Sequence, residues 1–286
     1  MASSVSRHTA LPTTPTAFGF LTDVTLCIGC KACEVACKQW NQLEADGYTL
    51  SGESYDNTGD LGSETWRHVA FVECHAENTS ADVLGGLMRP DGGEVAWLMM
   101  SDVCKHCVRA GCLEACPTGA IIRTEFGTVI IEQDVCNGCG YCIPACPFGV
   151  PQLSERTGTS RKCTLCYDRL GAGMEPACAQ SCPTDSILFG PVDELRERAD
   201  TRIATLRAQG ISGAHLYGDE HEGGTNGIGG LNALFVLTAP PEVYNLPAAP
   251  DLPSRRVLPG LLSTAAAAVG LTLAAALSLR QGVRRR

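Results

Sequence analysis

The sequence predicts an α+β fold of two repeated cysteine-bearing modules with loop insertions, followed by one transmembrane helix at the C-terminal end. Three observations support this prediction. Cysteines gather in four sets of similar spacing, short strands flank these sets, and a stretch without charge covers Val257–Leu279. Strand, loop, short helix and strand in repetition indicate an internal structural repeat, and a long uncharged apolar stretch indicates a membrane span.

Composition narrows the class of protein. The 286 residues include 17 cysteines but only 6% aromatic residues, so we expect the cysteines to help hold the fold together. The formal charge of −9 excludes a general nucleic-acid binder, which would be basic. Residues 1–20 lack an apolar signal region and a twin arginine, and we interpret them as a flexible lead.

Four cysteine sets include every cysteine except Cys74. The first and third have the C-x2-C-x2-C-x3-C spacing of bacterial ferredoxins, and the last three end in Cys-Pro. The sets are Cys27, Cys30, Cys33 and Cys37; Cys104, Cys107, Cys112 and Cys116; Cys136, Cys139, Cys142 and Cys146; and Cys163, Cys166, Cys178 and Cys182.

The ferredoxin spacing predicts [4Fe–4S] clusters that come in pairs. The first three cysteines wrap one cube, and the fourth, displaced onto a short helix, binds the neighbouring cube. Each module therefore needs two sets. The second and third sets predict an inner module, and the first and fourth predict an outer module that closes around it.

Two other uses of cysteine compete with this interpretation. Paired C-x2-C motifs also form zinc sites, and disulfides support small secreted domains. Three cysteines at successive x2 spacings crowd one zinc ion, and a long chain without a secretion signal does not suit a disulfide scaffold. Cys74 lies in RHVAFVECHAE, which alternates like a half-buried strand, and is interpreted as a buried free thiol with no ligand role.

Strands are predicted at Thr128–Glu132 and Ile187–Phe189 in the repeat, and at Trp66–Glu73 and Val95–Met100 in the insertion, where Gly47–Gly62 is interpreted as loop. They are followed by one amphipathic helix.

That helix covers Asp193–Gln209, with Asp193 as N-cap and Gly210 as the C′ residue. Residues 222–230 lack the GK[ST] and GxGxxG patterns, so no nucleotide site is expected. Pro240–Pro253 holds five prolines and predicts an extended linker. The apolar face of the helix is Leu195, Ala199, Ile203 and Leu206.

The uncharged segment Val257–Leu279 is predicted to span a membrane, the alternative being a buried alanine-rich helix of a soluble core. As a helix it would measure about 35 Å, enough for a hydrocarbon core of roughly 30 Å, with Pro259 in its first turn. Its small residues favour packing against a partner's membrane helices. Two arginines precede it and four follow it. The positive-inside rule therefore places the C-terminus in the cytoplasm and the cysteine-rich domain on the outer face of the cytoplasmic membrane, with a single pass.

A family resemblance is carried by CIGCKACEVACKQWN (27–41), GCGYCIPACPFGVPQL (138–153) and KCTLCYDRLGAGMEPACAQSCPTDSILFG (162–190). These segments resemble the iron–sulfur subunits of molybdenum or tungsten oxidoreductases. GAHLYGDEHEGG, PEVYNLP and the C-terminal helix narrow the resemblance to the beta subunit of membrane-bound respiratory formate dehydrogenase. It covers almost the whole chain from residue 21, apart from portions of 75–93, and implies two ferredoxin-like modules with four [4Fe–4S] clusters.

The resemblance also implies which cysteines share a cluster, and iron is expected only on these residues. The implied ligands are Cys27, Cys30, Cys33 and Cys182 for cluster 1; Cys163, Cys166, Cys178 and Cys37 for cluster 2; Cys104, Cys107, Cys112 and Cys146 for cluster 3; and Cys136, Cys139, Cys142 and Cys116 for cluster 4.

By the same resemblance the chain is an electron-transfer subunit with no catalytic site of its own, as in anaerobic formate respiration. A molybdopterin-containing alpha subunit would oxidise formate, and electrons would pass from cluster 1 toward a membrane cytochrome b gamma subunit and a quinone. One alternative is that the same electron-transfer subunit serves a nitrate, polysulfide or dimethyl-sulfoxide reductase or a hydrogenase. The other is that the chain is a zinc-stabilised interaction module.

Charged residues beside the cysteine sets have two interpretations, solvated surface charge or groups that tune cluster potentials. His106 is expected to be exposed or to support a ligand. The charged residues are Lys31, Lys105, Arg109, Arg161 and Lys162.

The predicted domain order is a lead (1–20), a four-cluster domain (21–239), a linker (240–256), a transmembrane helix (257–279) and a basic tail (280–286). Within the cluster domain the inner module is placed at about 98–160, and the outer module at about 21–40 together with 161–192.

Overall fold

The computed structural model describes residues 16–45, 58–75, 95–219 and 227–284. The strands are β1 Phe18–Asp23, β2 Arg67–His75, β3 Val95–Val103, β4 Ile121–Arg123, β5 Val129–Ile131, β6 Gln152–Leu153, β7 Ser160–Arg161, β8 Ile187–Pro191, β9 His215–Tyr217 and β10 Ala233–Leu237. The helices are α1 Ala32–Asn41, α2 Gly111–Glu114, α3 Cys142–Ala145, α4 Tyr167–Gly171, α5 Ala177–Gln180, α6 Val192–Ala208 and α7 Ser254–Arg284, with a 3-10 turn at Pro241–Tyr244.

Two antiparallel strand pairs form the predicted repeat. In the outer module β1 pairs with β8, with Phe20 opposite Phe189. In the inner module β4 pairs with β5, with Ile121 opposite Ile131. The strands predicted after the second and fourth cysteine sets are therefore present.

The predicted boundary of the lead at residue 20 is wrong. β1 already begins at Phe18, which stacks on Phe189 with ring centroids 5.7 Å apart, and Phe20 is fully buried. Alternating aromatic residues therefore extend the strand into a segment that composition alone had assigned to the lead. Residues 1–15 of the lead lie outside the described residues.

The outer module is enlarged by two further strands and a helix. β10 pairs parallel with β1 and antiparallel with β9, so the sheet order is β8-β1-β10-β9. Helix α6 packs on this sheet through Leu195, Ala199, Ile203 and Leu206, as predicted. Its N-cap is Pro191 and not Asp193, because the helix starts directly from β8. Gly210 follows the helix with a φ of +95°, as its C′ role requires.

The long insertion forms a hairpin that leads into the second cysteine set. β2 and β3 pair over their whole length, from Arg67 opposite Val103 to His75 opposite Val95. Both predicted strands are present and slightly longer than expected, and β3 ends directly before Cys104. Residues 46–57 and 76–94 of the insertion, like 222–226 of the glycine-rich loop, lie outside the described residues.

The segment 240–253, predicted as an extended linker, is instead packed onto the domain. Tyr244, Leu246 and Leu252 are each at most 3% exposed and join the main core. The Tyr217 hydroxyl donates to the Pro247 carbonyl at 2.7 Å. Apolar anchors between the prolines hold the segment in place, so the proline count alone misled the prediction.

Helix α7 contains an apolar stretch, Val257–Ala276, that is long enough to cross a membrane. None of its described side chains is buried against the domain, which argues against a soluble core helix. The helix begins at Ser254, so Pro259 lies in its second turn and not in its first. Residues 285–286 of the basic tail lie outside the described residues.

Candidate metal centres

Four cavities are each lined by four cysteines. Their volumes lie between about 240 and 350 Å³. The linings are Cys27, Cys30, Cys33 and Cys182 in cavity 1; Cys37, Cys163, Cys166 and Cys178 in cavity 2; Cys104, Cys107, Cys112 and Cys146 in cavity 3; and Cys116, Cys136, Cys139 and Cys142 in cavity 4. These are the groups that the family resemblance implied. All seventeen cysteines are described and none forms a disulfide.

One backbone turn recurs at all four cavities. In the first C-x2-C pair of each cysteine set the residue before the second cysteine is left-handed, with φ of +67° at Gly29, +43° at His106, +72° at Gly138 and +59° at Leu165. Glycine adopts this conformation freely, and other residues rarely do. The turn directs a backbone donor at sulfur, since the N–H of Leu165 donates to Cys163 Sγ at 3.3 Å.

The cavities lie in a row from 1 to 4. Cavity 2 borders cavity 3, because Lys162 lines cavity 3 and donates to the carbonyl of Cys163 at 3.2 Å. Cavities 3 and 4 share two chain segments: Cys112 in α2 is followed by Cys116, and Cys142 in α3 is followed by Cys146. The order of the two inner cavities, which the sequence left open, follows from these contacts.

The most deeply buried thiols need a metal in order to ionise at neutral pH. Burial raises the pKa of Cys33 to about 11 and that of Cys112 to about 12. Thiols with such pKa values stay protonated at neutral pH, and metal binding must release their protons. Clustered thiols that lose their protons only on metal binding are suitable ligands for a soft metal–sulfur group.

The thiols surround a volume and do not meet at one point. In the described ranges, no three His, Cys, Asp or Glu side chains converge closely enough to hold a single metal ion. Zinc requires all its ligands at about 2.0–2.3 Å, whereas a cube binds one thiolate at each of four separate irons. The geometry therefore favours a polynuclear cluster over zinc.

Three cations are buried at the cavities. Arg67 and Lys105 are each 1% exposed and Lys162 is 2% exposed, so the interpretation as solvated charge is wrong for both lysines. Lys105 pairs with Asp102. Burial alone would lower the pKa of Lys162, but the negative charge that Cys104 and Cys112 carry once they ionise raises it above its usual value.

The other charged candidates lie nearer to solvent. Arg109 is exposed and pairs with Glu114 at 3.4 Å. Lys31 and Arg161 are partly exposed, and Arg161 pairs with Glu64 at 2.7 Å.

Sequence reasoning missed Arg67, because it lies outside the cysteine sets. The available signal was the alternation of β2, which places Arg67 on the same buried face as Val69.

His106 is buried and supports cavity 3 without joining its cysteines. Its Nδ1 accepts a hydrogen bond from the N–H of Val129 at 3.1 Å. Burial, Lys162 and Arg123 lower the pKa of His106 well below its usual value. The neutral ring therefore carries its proton on Nε2, which has no partner among the described residues.

These residues fit an anionic sulfur-rich group. Buried donors are normally satisfied, yet Nε of Arg67 and Nε2 of His106 have no acceptor in the described part of the chain, and each residue lines a cavity. Buried cations are normally compensated by negative charge. Iron–sulfur clusters with thiolate ligands would supply both the charge and the acceptors.

Cys74 lies in β2 and is 4% exposed. It lines none of the four cavities. Its interpretation as a buried thiol in a strand is confirmed.

Comparison with known proteins gives one family and several relatives. Residues 95–192 match the family described as 4Fe-4S dicluster domain. The chain is 40% identical over 236 residues to the "Formate dehydrogenase, nitrate-inducible, iron-sulfur subunit" of Escherichia coli K12, which covers 81% of this chain and 73% of the relative. The "Formate dehydrogenase iron-sulfur subunit" of Haemophilus influenzae is 39% identical, with 81% of this chain and 69% of the relative covered.

A relative of another type matches less of the chain. This relative is a subunit of the anaerobic dimethyl sulfoxide reductase of Escherichia coli K12, and it is 36% identical over 187 residues, with 64% of this chain and 78% of the relative covered. The predicted fold class, an α+β chain of ferredoxin-like modules with an apolar C-terminal helix, is confirmed by the dicluster match and the architecture.

Proposed function

The protein belongs to the iron–sulfur subunits of formate dehydrogenases, and we propose that it conducts electrons through four [4Fe–4S] clusters in a row. Members of this family transfer electrons and are not the catalytic subunits. The observation that carries the number four is the row of four cavities, each lined by four cysteines. The proposed ligands of each cluster are the cysteines that line its cavity.

The protein supplies spacing, shielding and charge. When bound, each cluster would accept and pass on one electron. The shared cysteine sets hold neighbouring cavities at fixed separation, and surrounding side chains keep water from the buried thiols, such as Cys33, Cys112 and Cys163. Backbone donors, such as the N–H of Leu165 toward Cys163 and the N–H of Ser160 toward Cys136 Sγ at 3.4 Å, stabilise negative charge on sulfur.

The inner module is the end of the row of cavities that lies beside α7, the proposed membrane helix. Ser254, the first residue of α7, donates to Glu114 Oε2 at 2.9 Å, and Leu252 packs beside Gly111. Both contacts lie on α2, whose Cys112 lines cavity 3 and is followed by Cys116 of cavity 4. We therefore assign electron exit toward a membrane cytochrome b and quinone to the inner module.

The opposite end faces the proposed catalytic partner. Ile28 and Val35 beside cavity 1 are 59% and 66% exposed. Exposed apolar side chains next to a cofactor site suit a protein interface. A molybdopterin-containing formate dehydrogenase subunit would deliver electrons here. From the arginines on both sides of Val257–Leu279 we propose that this domain lies on the outer face of the cytoplasmic membrane, with the C-terminus inside.

The test is analysis of the anaerobically purified complex for iron and acid-labile sulfide. We expect about sixteen irons per chain with matching sulfide and four cluster signals by low-temperature EPR after reduction. Zinc in place of iron, or far fewer than four clusters, would overturn the proposal.

Activity measurements on the complex distinguish formate dehydrogenase from the dimethyl-sulfoxide reductase alternative. The same complex should reduce a quinone with formate as electron donor. A complex that oxidises a quinol with dimethyl sulfoxide and ignores formate would support the alternative. The broader match to formate dehydrogenase subunits, 81% of the chain against 64%, favours formate.

A further inference from the structure

Arg67 lies between the two cavities of the outer module. Its Nη2 donates to Cys178 Sγ of cavity 2 at 3.3 Å. Its Nη1 lies 3.3 Å from the Ser101 carbonyl and 3.4 Å from the Ser101 hydroxyl. That hydroxyl is 3.2 Å from Cys33 Sγ of cavity 1. One guanidinium therefore contacts one cavity directly and the other through a single serine.

No carboxylate in the described part of the chain neutralises this cation. Among the ion pairs of the described residues, none includes Arg67, although other arginines of the domain, such as Arg202 with Asp23 at 2.7 Å, have acidic partners. The guanidinium stacks on the Phe20 ring at 4.6 Å from its centroid. A buried charge left alone is strongly destabilising, so its compensation has to come from the sulfur ligands.

We propose that Arg67 jointly raises the reduction potentials of clusters 1 and 2, so that the outer module works as one matched pair. The inference rests on the proposed four-cluster function. A fixed positive charge in a low-dielectric site stabilises each added electron, and it acts on both clusters because it lies between them. Hydrogen bonds to sulfur raise the potential further.

The test is an EPR-monitored redox titration of the intact complex carrying Arg67→Gln. Each cluster signal is first assigned with single Cys→Ser variants of its cavity. We expect the reduction equilibrium of clusters 1 and 2 to shift at least tenfold toward the oxidised form, which is about 59 mV for one electron. Clusters 3 and 4 should shift less than threefold.

Three further variants separate charge from structure. Arg67→Lys keeps the charge and should restore more than half of the shift. Ser101→Ala removes the link to Cys33 and should shift cluster 1 more than cluster 2. Arg202→Gln removes an arginine of the same module that already has a carboxylate partner, and should shift all clusters less than threefold.

Two outcomes overturn the inference: unchanged potentials in an Arg67→Gln complex with full iron content, or an equal shift of all four clusters. If Arg67→Gln does not assemble, Ser101→Ala decides: the inference requires a larger shift of cluster 1 than of cluster 2, and unchanged potentials in that variant reject it. A wild-type complex with fewer than four clusters would instead reject the proposed function, and is recognised beforehand by its iron content.

Discussion

The outer and inner modules share one cysteine pattern but differ in how the chain closes them. Cavity 1 joins Cys27 to Cys182 across most of the domain, whereas cavity 4 takes its cysteines from residues 116–142 alone. The outer module also has a four-stranded sheet covered by α6, and this apolar cluster contains no cysteine. The inner core cluster has six buried residues, of which Cys112 and Cys142 are two. The inner module therefore depends on its metal for a core, while the outer module has an apolar core besides its metal.

The largest expected effect follows from removing the iron. After anaerobic chelation, amides of β4 and β5 should exchange at least about a hundredfold faster, because their core includes metal ligands. Amides of β10 and α6 should change less than about tenfold. Hydrogen exchange measured by mass spectrometry checks this contrast, and equal loss of protection in both modules would contradict it.

Substitutions of single cysteine ligands test how the effect of losing one ligand depends on its position in the protein. Cys163→Ser replaces a buried thiol where cavities 2 and 3 meet, and should remove about eight irons per chain, because two clusters lose support. Cys139→Ser replaces an exposed thiol of the terminal cavity and should remove at most about four. Iron analysis of the purified complexes measures both, and a larger loss from Cys139→Ser would refute the expectation.

Packing changes should affect the outer module more than the inner one while iron is bound. Leu234→Ala empties a fully buried site in the α6 sheet and should cost about 2–5 kcal/mol. Ile131 belongs to the group of buried residues that also contains the proposed iron ligands Cys112 and Cys142. Ile131→Ala should therefore lower the unfolding temperature less than Leu234→Ala.

Calorimetry of the iron-loaded complex compares the two variants, with Arg198→Ala at an exposed position of α6 as the control that should not change the unfolding temperature. An equal drop for Leu234→Ala and Ile131→Ala would show that the clusters do not support the inner module.

The smallest effects concern the segment 240–253, which precedes the apolar helix α7. Tyr217→Phe removes the hydroxyl that donates to Pro247 and should cost about 1 kcal/mol. Ser254→Ala removes an exposed bond to Glu114 and should cost less than half of that. Urea unfolding monitored by tryptophan fluorescence resolves the difference, and no effect of Tyr217→Phe would mean that the segment is not held by this contact.

Much of the candidate site was predictable from spacing. The four cysteine sets and their pairing into modules follow from cysteine positions. Two of the four strands of the repeat, β5 and β8, follow from short apolar runs such as Thr128–Glu132. The left-handed turns at His106 and Leu165 were not predictable, because neither residue is glycine. They occur because the cysteines on both sides must turn toward one cavity.

The packing of the proline-rich segment was also not predictable from the sequence. Five prolines in fourteen residues are typical of a linker, and the anchors Tyr244, Leu246 and Leu252 are too widely spaced to form a periodic pattern. Their burial depends on contacts with β2, β9 and α2, which are distant in the chain.

By itself the sequence determined the cysteine sets, their division into two modules and the apolar helix, because these depend on short spacings and on composition. Only the tertiary structure decided the order of the cavities and the place of Arg67, because both depend on contacts between residues far apart in the chain. A charged residue in a strand reveals its burial only when the partner strand and the cavity wall are in place around it.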